Sequence, residues 1–216
     1  MFVMLRRTFL AGALLALSAC GGGEPDITPG SIPLSVETDI VLGSADAPVT
    51  LIEYAALTCG ACGAFNNNVL SEIKPNYVDT GKLKIITREV LFVPPAEVNL
   101  AGFAMARCAG PDKYHDVLDD FFQNQTGILS AVRAGAGNQA LQAVAGRHGL
   151  DKAAYDACIV DPEMEKMISE ISRNASASGV SRTPTVYLNG RELTDSTALT
   201  AEGLAELLDA ELTKGE

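Results

Sequence analysis

Two cysteines three residues apart, Cys59 and Cys62, stand where an apolar, β-branched run gives way to a helical repeat. That junction constrains the chain more than any other feature. The run is Val49 to Ala55, introduced by Asp46-Ala47-Pro48 and broken by one acid, Glu53, and it reads as a buried strand. After the turn Thr58-Cys59-Gly60-Ala61-Cys62, the residues Cys62, Phe65, Val69 and Ile73 fall on one helical face. Pro75 is expected to kink that helix and Gly81 to end the segment. Lys82 to Phe92 reads as a second strand, completing a βαβ unit.

The C-x-x-C spacing lets two sulfurs close a small ring. A cysteine at a helix start lies near unsatisfied N–H groups and the positive end of the dipole, which favours thiolate over thiol. Cys59 is therefore expected to be the nucleophile. Cys62, one turn in on the apolar face, is the shielded resolving thiol, and a thiolate is also the better leaving group in disulfide exchange. A zinc site needs two more ligands, and no second C-x-x-C or paired histidines supply them. A purely structural bridge between such close neighbours restricts the unfolded chain little. His115 and His148 have no ligand-like spacing and read as satisfied helix residues. No metal and no cofactor are expected.

The N-terminus reads as an address rather than as fold. Arg6-Arg7 precede an apolar run, Phe9 to Leu17, too short for a bilayer span of about 20 residues, so residues 1–19 are taken as an export signal. Leu17-Ser18-Ala19-Cys20 resembles a bacterial lipobox, which implies cleavage before Cys20 and a lipid on its thiol; the alternative is an ordinary signal with an incidental cysteine. Arg6 to Leu10 also resemble a twin-arginine export signal, with Leu5 where that pattern usually has Ser or Thr. Residues 20–38, opening with Gly21-Gly22-Gly23, read as a flexible tether. Export permits disulfides. Lys+Arg total 16 against 27 Asp+Glu, a net charge of −11. Losing Arg6 and Arg7 makes the balance more acidic still, and such a surface repels phosphate backbones, so nucleic acid is excluded as a partner.

Residues 96–178 carry only helical signals, too long a stretch for a structureless loop, and read as an inserted helical subdomain. Ala101, Ala104, Met105 and Cys108 share one face, as do Leu141, Val144, Ala145 and His148. Asp151 caps a helix with Tyr155, Cys158 and Ile159 inward, and Asp161-Pro162 starts another that stops at Gly179. Cys108 and Cys158 both fall on apolar faces. The exported location and the lack of other partners favour a structural disulfide between them, the alternative being two separate buried thiols. Strands return at Thr185 to Leu188 and Glu192 to Thr194, joined by Asn189-Gly190, before a helix from Thr200 through Leu212. Residues 39–95 and 179–216 thus form one α/β unit around the insertion.

Thr50 to Phe65 (TLIEYAALTCGACGAF) and Gly179 to Gly190 (GVSRTPTVYLNG) resemble the DsbA-like branch of the thioredoxin superfamily, over about Asp39 to Leu212. The resemblance implies an α/β thioredoxin fold with the helical subdomain inserted between the second strand and a cis-proline segment. Cys59 then matches the family nucleophile and Cys62 its partner. Thr183-Pro184 matches the cis-proline segment, whose first residue contacts substrate, and Glu53 matches a buried acid beneath the disulfide. Read on its own, Glu53 in an apolar strand is costly, so its pKa is expected to rise and it could move protons to and from Cys62; the alternative is an acid at a strand edge facing solvent. Arg182 reads equally as a partner contact or a solvated loop charge.

Many oxidising relatives carry Pro-His between the cysteines, whereas this chain has Gly60-Ala61. The helix start and backbone donors are then expected to act alone, placing Cys59 near about 5–6. The expected activity is that of a lipid-anchored, periplasmic thiol:disulfide oxidoreductase. It would give the Cys59–Cys62 disulfide to exported cysteine-containing proteins and be reset by a membrane or soluble redox partner. A reductase or isomerase on the same site, or a copper-handling assembly factor with Cys59 and Cys62 as ligands, are the alternatives.

Overall fold

The computed structural model describes residues 32–214; the expected signal, Cys20 and the start of the tether lie outside them. At the centre is β2 (Val49–Ala55), buried along its whole length. It pairs in parallel with β3 (Leu83–Glu89) and antiparallel with β4 (Thr185–Leu188). Two short strands close the five-stranded sheet, β1 (Val41–Leu42) on β3 and β5 (Arg191–Glu192) on β4, in the order β1-β3-β2-β4-β5. A strand covered on both faces has no solvent side to mark with polar residues, which is why β2 reads as a continuous apolar run.

Alternate side chains of the sheet feed two cores. Leu51, Ile85 and Val186 pack on the face that also buries Phe65, Val69 and Ile73, together with Leu204 and Leu208 of α9 (Ala201–Thr213). Ile52, Tyr54, Ile86 and Tyr187 meet Ala175 on the other face. The helix after Cys59 runs as α1 (Gly60–Phe65), a π-helical turn Asn66–Leu70, α2 (Ser71–Ile73) and a second π-helical turn Lys74–Val78. Pro75 therefore falls inside a widened turn rather than at a break.

The insertion is α3 (Ala96–Cys108), α4 (Pro111–Gln123), α5 (Gln125–Arg133), α6 (Gly137–Arg147), α7 (Lys152–Ile159) and α8 (Pro162–Ala177). Its own core holds Phe103, Tyr114, Phe121, Phe122 and Tyr155. The side chains of Asp151 and Asp161 accept N–H bonds from Ala154 and Glu163 and start α7 and α8. Among the described residues no helix is long and apolar enough to cross a membrane.

Several features depart from the sequence reading. The strand expected over Glu192 to Thr194 lies instead at Arg191–Glu192, where the tight Asn189-Gly190 turn pairs Arg191 with Leu188. β3 ends at Glu89 rather than Phe92, because the Val90 N–H still reaches Ala55 but the Leu91 N–H turns to Ser172 Oγ at 2.9 Å. The tether expected over 20–38 overlaps the domain at its end: Ile32 is buried, and the Pro33 and Thr38 carbonyls accept from Arg88 and Arg107. Both arginines are themselves nearly inaccessible. Arg88 pairs with Asp39 at 2.8 Å and Arg107 with Glu89 at 2.6 Å, so each buried charge is matched. Cys108 and Cys158 are joined in a disulfide that ties the end of α3 to α7, but Cys108 is exposed at the last residue of its helix, not on an apolar face. With a sequence separation of 50, that bridge stabilises the fold by about 4 kcal/mol on chain-entropy grounds.

Candidate active site

Cys59 stands between β2 and α1 as the N-cap residue, partly exposed, while Cys62 is fully buried one turn later. The two thiols are unbridged. Opposite them the Thr183–Pro184 peptide is cis, and the Thr183 carbonyl lies 3.3 Å from Cys59 Sγ. The chain thus brings together residues 124 apart in sequence.

The electrostatics divide the pair sharply. A hydrogen bond from the Cys62 thiol lowers Cys59 from 9.0 to about 5, opposed by burial and helped by Thr183 and the Cys62 and Ala61 N–H groups. The expected value is close to this, but its first cause differs: the partner thiol leads and the helix-start amides follow. Cys62 moves the other way, held well above the ordinary thiol range by its bond to Cys59, by burial and by the charge of Glu53. One sulfur is a thiolate at neutral pH and the other keeps its proton.

Glu53 lies fully buried in β2 rather than at a solvent-facing edge. Burial pushes its carboxyl up from 4.5 to about 8, against the lowering effects of Asn66 and Lys74. Both of its oxygens accept from one nitrogen, Asn66 Nδ2, at 3.1 and 3.0 Å, and the same nitrogen reaches the Cys62 carbonyl at 3.0 Å. Asn66 therefore links the acid to the backbone of the buried cysteine. In the sequence it is the first of three asparagines and looks like a solvated face; its position four residues after Cys62 was the available signal.

Two further amides grip the active-site turn from the insertion. Asn99 of α3 accepts from the Thr58 N–H at 2.9 Å and donates to Thr58 Oγ1 at 3.0 Å. Gln125 of α5 donates to the carbonyls of Leu57 at 2.7 Å and Cys59 at 2.9 Å. A Cβ at Gly63 would come within 2.7 Å of Gln125 Oε1, so the glycine gives that amide its room. Nothing local in the sequence marks these residues, because their partners lie 41 to 68 positions away.

Beside the cysteines runs an open groove of about 560 Å³ lined by Ala61, Phe65, Val69, Pro184 and Leu199. Arg182 is exposed and pairs with Glu192 at 2.7 Å. His115 bonds the Ile40 carbonyl, and burial lowers its pKa to about 4; His148 bonds Asp120. Neither joins the site. Among the described residues no cluster of three or more His, Cys, Asp or Glu side chains could hold a metal ion.

Comparison with known proteins matches residues 35–210 to a family described as thioredoxin. A Rickettsia bellii protein named for protein-disulfide oxidoreductase activity is 24% identical over 169 residues, covering 77% of this chain and 63% of its own length. The Disulfide bond formation protein D of Bacillus subtilis is 30% identical over 93 residues, 42% of this chain and 41% of that one. This chain spans 26% to 63% of the length of the Rickettsia relatives it matches, and 59% to 63% of three of them. Among solved structures, Wolbachia pipientis alpha-DsbA1 superposes with a TM-score of 0.73 at 24% identity, over 88% of this chain and 100% of that one. Oxidised BdbD of Bacillus subtilis gives 0.69 at 18%, over 83% and 95%. These superpositions show a shared fold.

Proposed function

The chain belongs to the thioredoxin family, and from that premise we propose that it is a DsbA-type thiol:disulfide oxidoreductase that passes the Cys59–Cys62 disulfide to exported, cysteine-containing proteins. One observation carries the reading. A partly exposed Cys59 lowered to about 5 stands against Thr183 at the edge of an open groove, over a buried partner held as the thiol.

A substrate thiolate attacks Cys59 Sγ of the disulfide form; the Cys59–Cys62 bond breaks and Cys62 leaves as a thiolate. Glu53 supplies its proton and becomes a carboxylate to which Asn66 Nδ2 donates, so the charge rests on a hydrogen-bonded group and not on the buried sulfur. The substrate's second thiolate then attacks the substrate sulfur of the mixed disulfide, and Cys59 leaves as a stabilised thiolate. Two electrons pass from substrate to protein, and a redox partner must remove them. The groove offers apolar contacts for an extended segment flanking the reacting cysteine. Leu17-Ser18-Ala19-Cys20 supports a lipid anchor on the periplasmic side of a bacterial membrane.

The test is stoichiometric transfer. Oxidised protein mixed with a reduced dithiol peptide is expected to yield one peptide disulfide per chain, measured by thiol alkylation and mass. Cys59→Ser is expected to yield none, and transfer by that variant would overturn the reading.

A further inference from the structure

The insertion holds the active-site turn at three consecutive residues. Leu57 is fully buried in the insertion's core, and a Cβ at Gly102 of α3 would come within 2.5 Å of its Cδ1. Thr58 is bound through its N–H and its hydroxyl by Asn99 of the same helix. The third grip reaches the reacting residue itself. Gln125, buried at the start of α5, commits Nε2 to the turn, donating to the Leu57 carbonyl at 2.7 Å and to the Cys59 carbonyl at 2.9 Å. Two acceptors fix which way the amide faces, since its oxygen could bond neither. The Cys59 carbonyl also takes the Gly63 N–H at 3.1 Å, the bond that closes the first turn of α1. Gln125 therefore braces that turn from the insertion, at the carbonyl of the attacked cysteine.

We infer that Gln125 is a positioning residue for disulfide exchange, one that selectively stabilises the reduced pair and so raises the oxidising power of Cys59 and Cys62. The inference rests on the proposed reading of that pair as the exchanging disulfide. Its basis is a difference between the two redox forms. In the disulfide form the Cys59–Cys62 bond closes a covalent ring over the first turn of α1, and the turn keeps its shape without Gln125. In the dithiol form that tie is absent, and helix ends fray unless their backbone groups are held. The Cys59 thiolate depends on an intact turn. It is stabilised first by the Cys62 thiol, then by Thr183 and the N–H groups of Cys62 and Ala61, and all of these except Thr183 belong to the turn. Gln125 supplies, in the reduced form, the tie that the disulfide supplies in the oxidised one.

Equilibration of the full-length protein with glutathione, in which two glutathione thiols are oxidised for each protein disulfide reduced, tests this. Gln125→Met keeps the length of the side chain and its lack of charge but donates nothing. It is expected to shift the equilibrium constant about three- to tenfold against the dithiol form, a fall of about 14–30 mV. The Cys59 thiolate midpoint should rise with it by about half to one pH unit. Denaturant unfolding in each redox state separates positioning from stability, because the reduced form should lose more than the oxidised form. A merely structural amide would weaken both forms equally and leave the constant unchanged, and that result would overturn the inference. Gly63→Ala decides the question if Gln125→Met does not fold. Its Cβ would lie 2.7 Å from Gln125 Oε1, so it displaces the amide without removing it, and its gain in helix propensity acts on both redox forms. A shift of the constant against the dithiol form is again the expected result, and an unchanged constant the contrary one. Failure of the underlying reading looks different: the wild type itself would then not oxidise the dithiol peptide, whatever the variants show.

Discussion

Cys62→Ala, presented with a disulfide-bonded peptide, is expected to stop at a mixed disulfide between peptide and Cys59 that persists where the wild type resolves it. Cys59 still attacks, but no second sulfur follows. The same variant is expected to move the Cys59 titration upward from about 5, since the Cys62 thiol is the first cause of its lowering. Loss of a hydrogen bond to a charged group costs about 1.5–3 kcal/mol, or about one to two pH units. Thiolate absorbance against pH, on the reduced wild type and the variant, measures it. In the reduced wild type the lowered Cys59 stabilises the fold fully above the unfolded thiol pKa, and this contribution is lost as pH falls through about 5. The variant should lose part of that stabilisation at neutral pH. A midpoint that does not move would assign the thiolate to the helix start instead.

Glu53→Gln is expected to stabilise the reduced protein at neutral pH while slowing its disulfide transfer. The buried carboxyl titrates near about 8 against 4.5 as the ordinary value, so between these the unfolded chain is ionised and the folded chain is not. Stability is therefore undiminished below pH 4.5, falls as pH rises towards 8, and is level above it. At pH 7 the cost is about 3 kcal/mol, which the amide removes while keeping an oxygen for Asn66 to bond. Denaturant unfolding of both proteins with the thiols kept reduced should give curves that coincide near pH 4 and separate steadily up to pH 8. Curves that stay parallel across this range would mean that Glu53 is ionised in the fold.

Much of this site was legible in the sequence, and the division has a physical basis. Cys59, Cys62 and Glu53 were readable because a strand and the helix that follows it are local, and an acid or a cysteine pair stands out against β-branched apolar neighbours. The strand and helix signals around the insertion were readable for the same reason, with Asp151 and Asp161 capping α7 and α8. Thr183-Pro184 was found through resemblance, since nothing local shows a threonine carbonyl reaching a sulfur 124 residues away. Asn66, Asn99 and Gln125 stayed hidden. An amide gains meaning only from its acceptors, and two of these three find theirs across the seam between the sheet and the insertion. The short edge strand β1 was missed likewise, because two residues carry no period and only pairing with β3 defines them.

The central claim, that this pair gives disulfides away, is tested most directly by its reduction potential, measured by equilibrating the protein with glutathione buffers and quantifying the two states by alkylation and mass. A Cys59 near about 5 stabilises the dithiol form at pH 7. For a thiolate about half exposed, solvent screening leaves about 30–60 mV of oxidising shift. The potential is accordingly expected to lie above the value of about −270 mV for thioredoxin. Ala61→His, which adds a cation beside Cys59, is expected to raise the potential and lower the thiol titration together. A wild-type potential at or below −270 mV would contradict the account and make the protein a reductase.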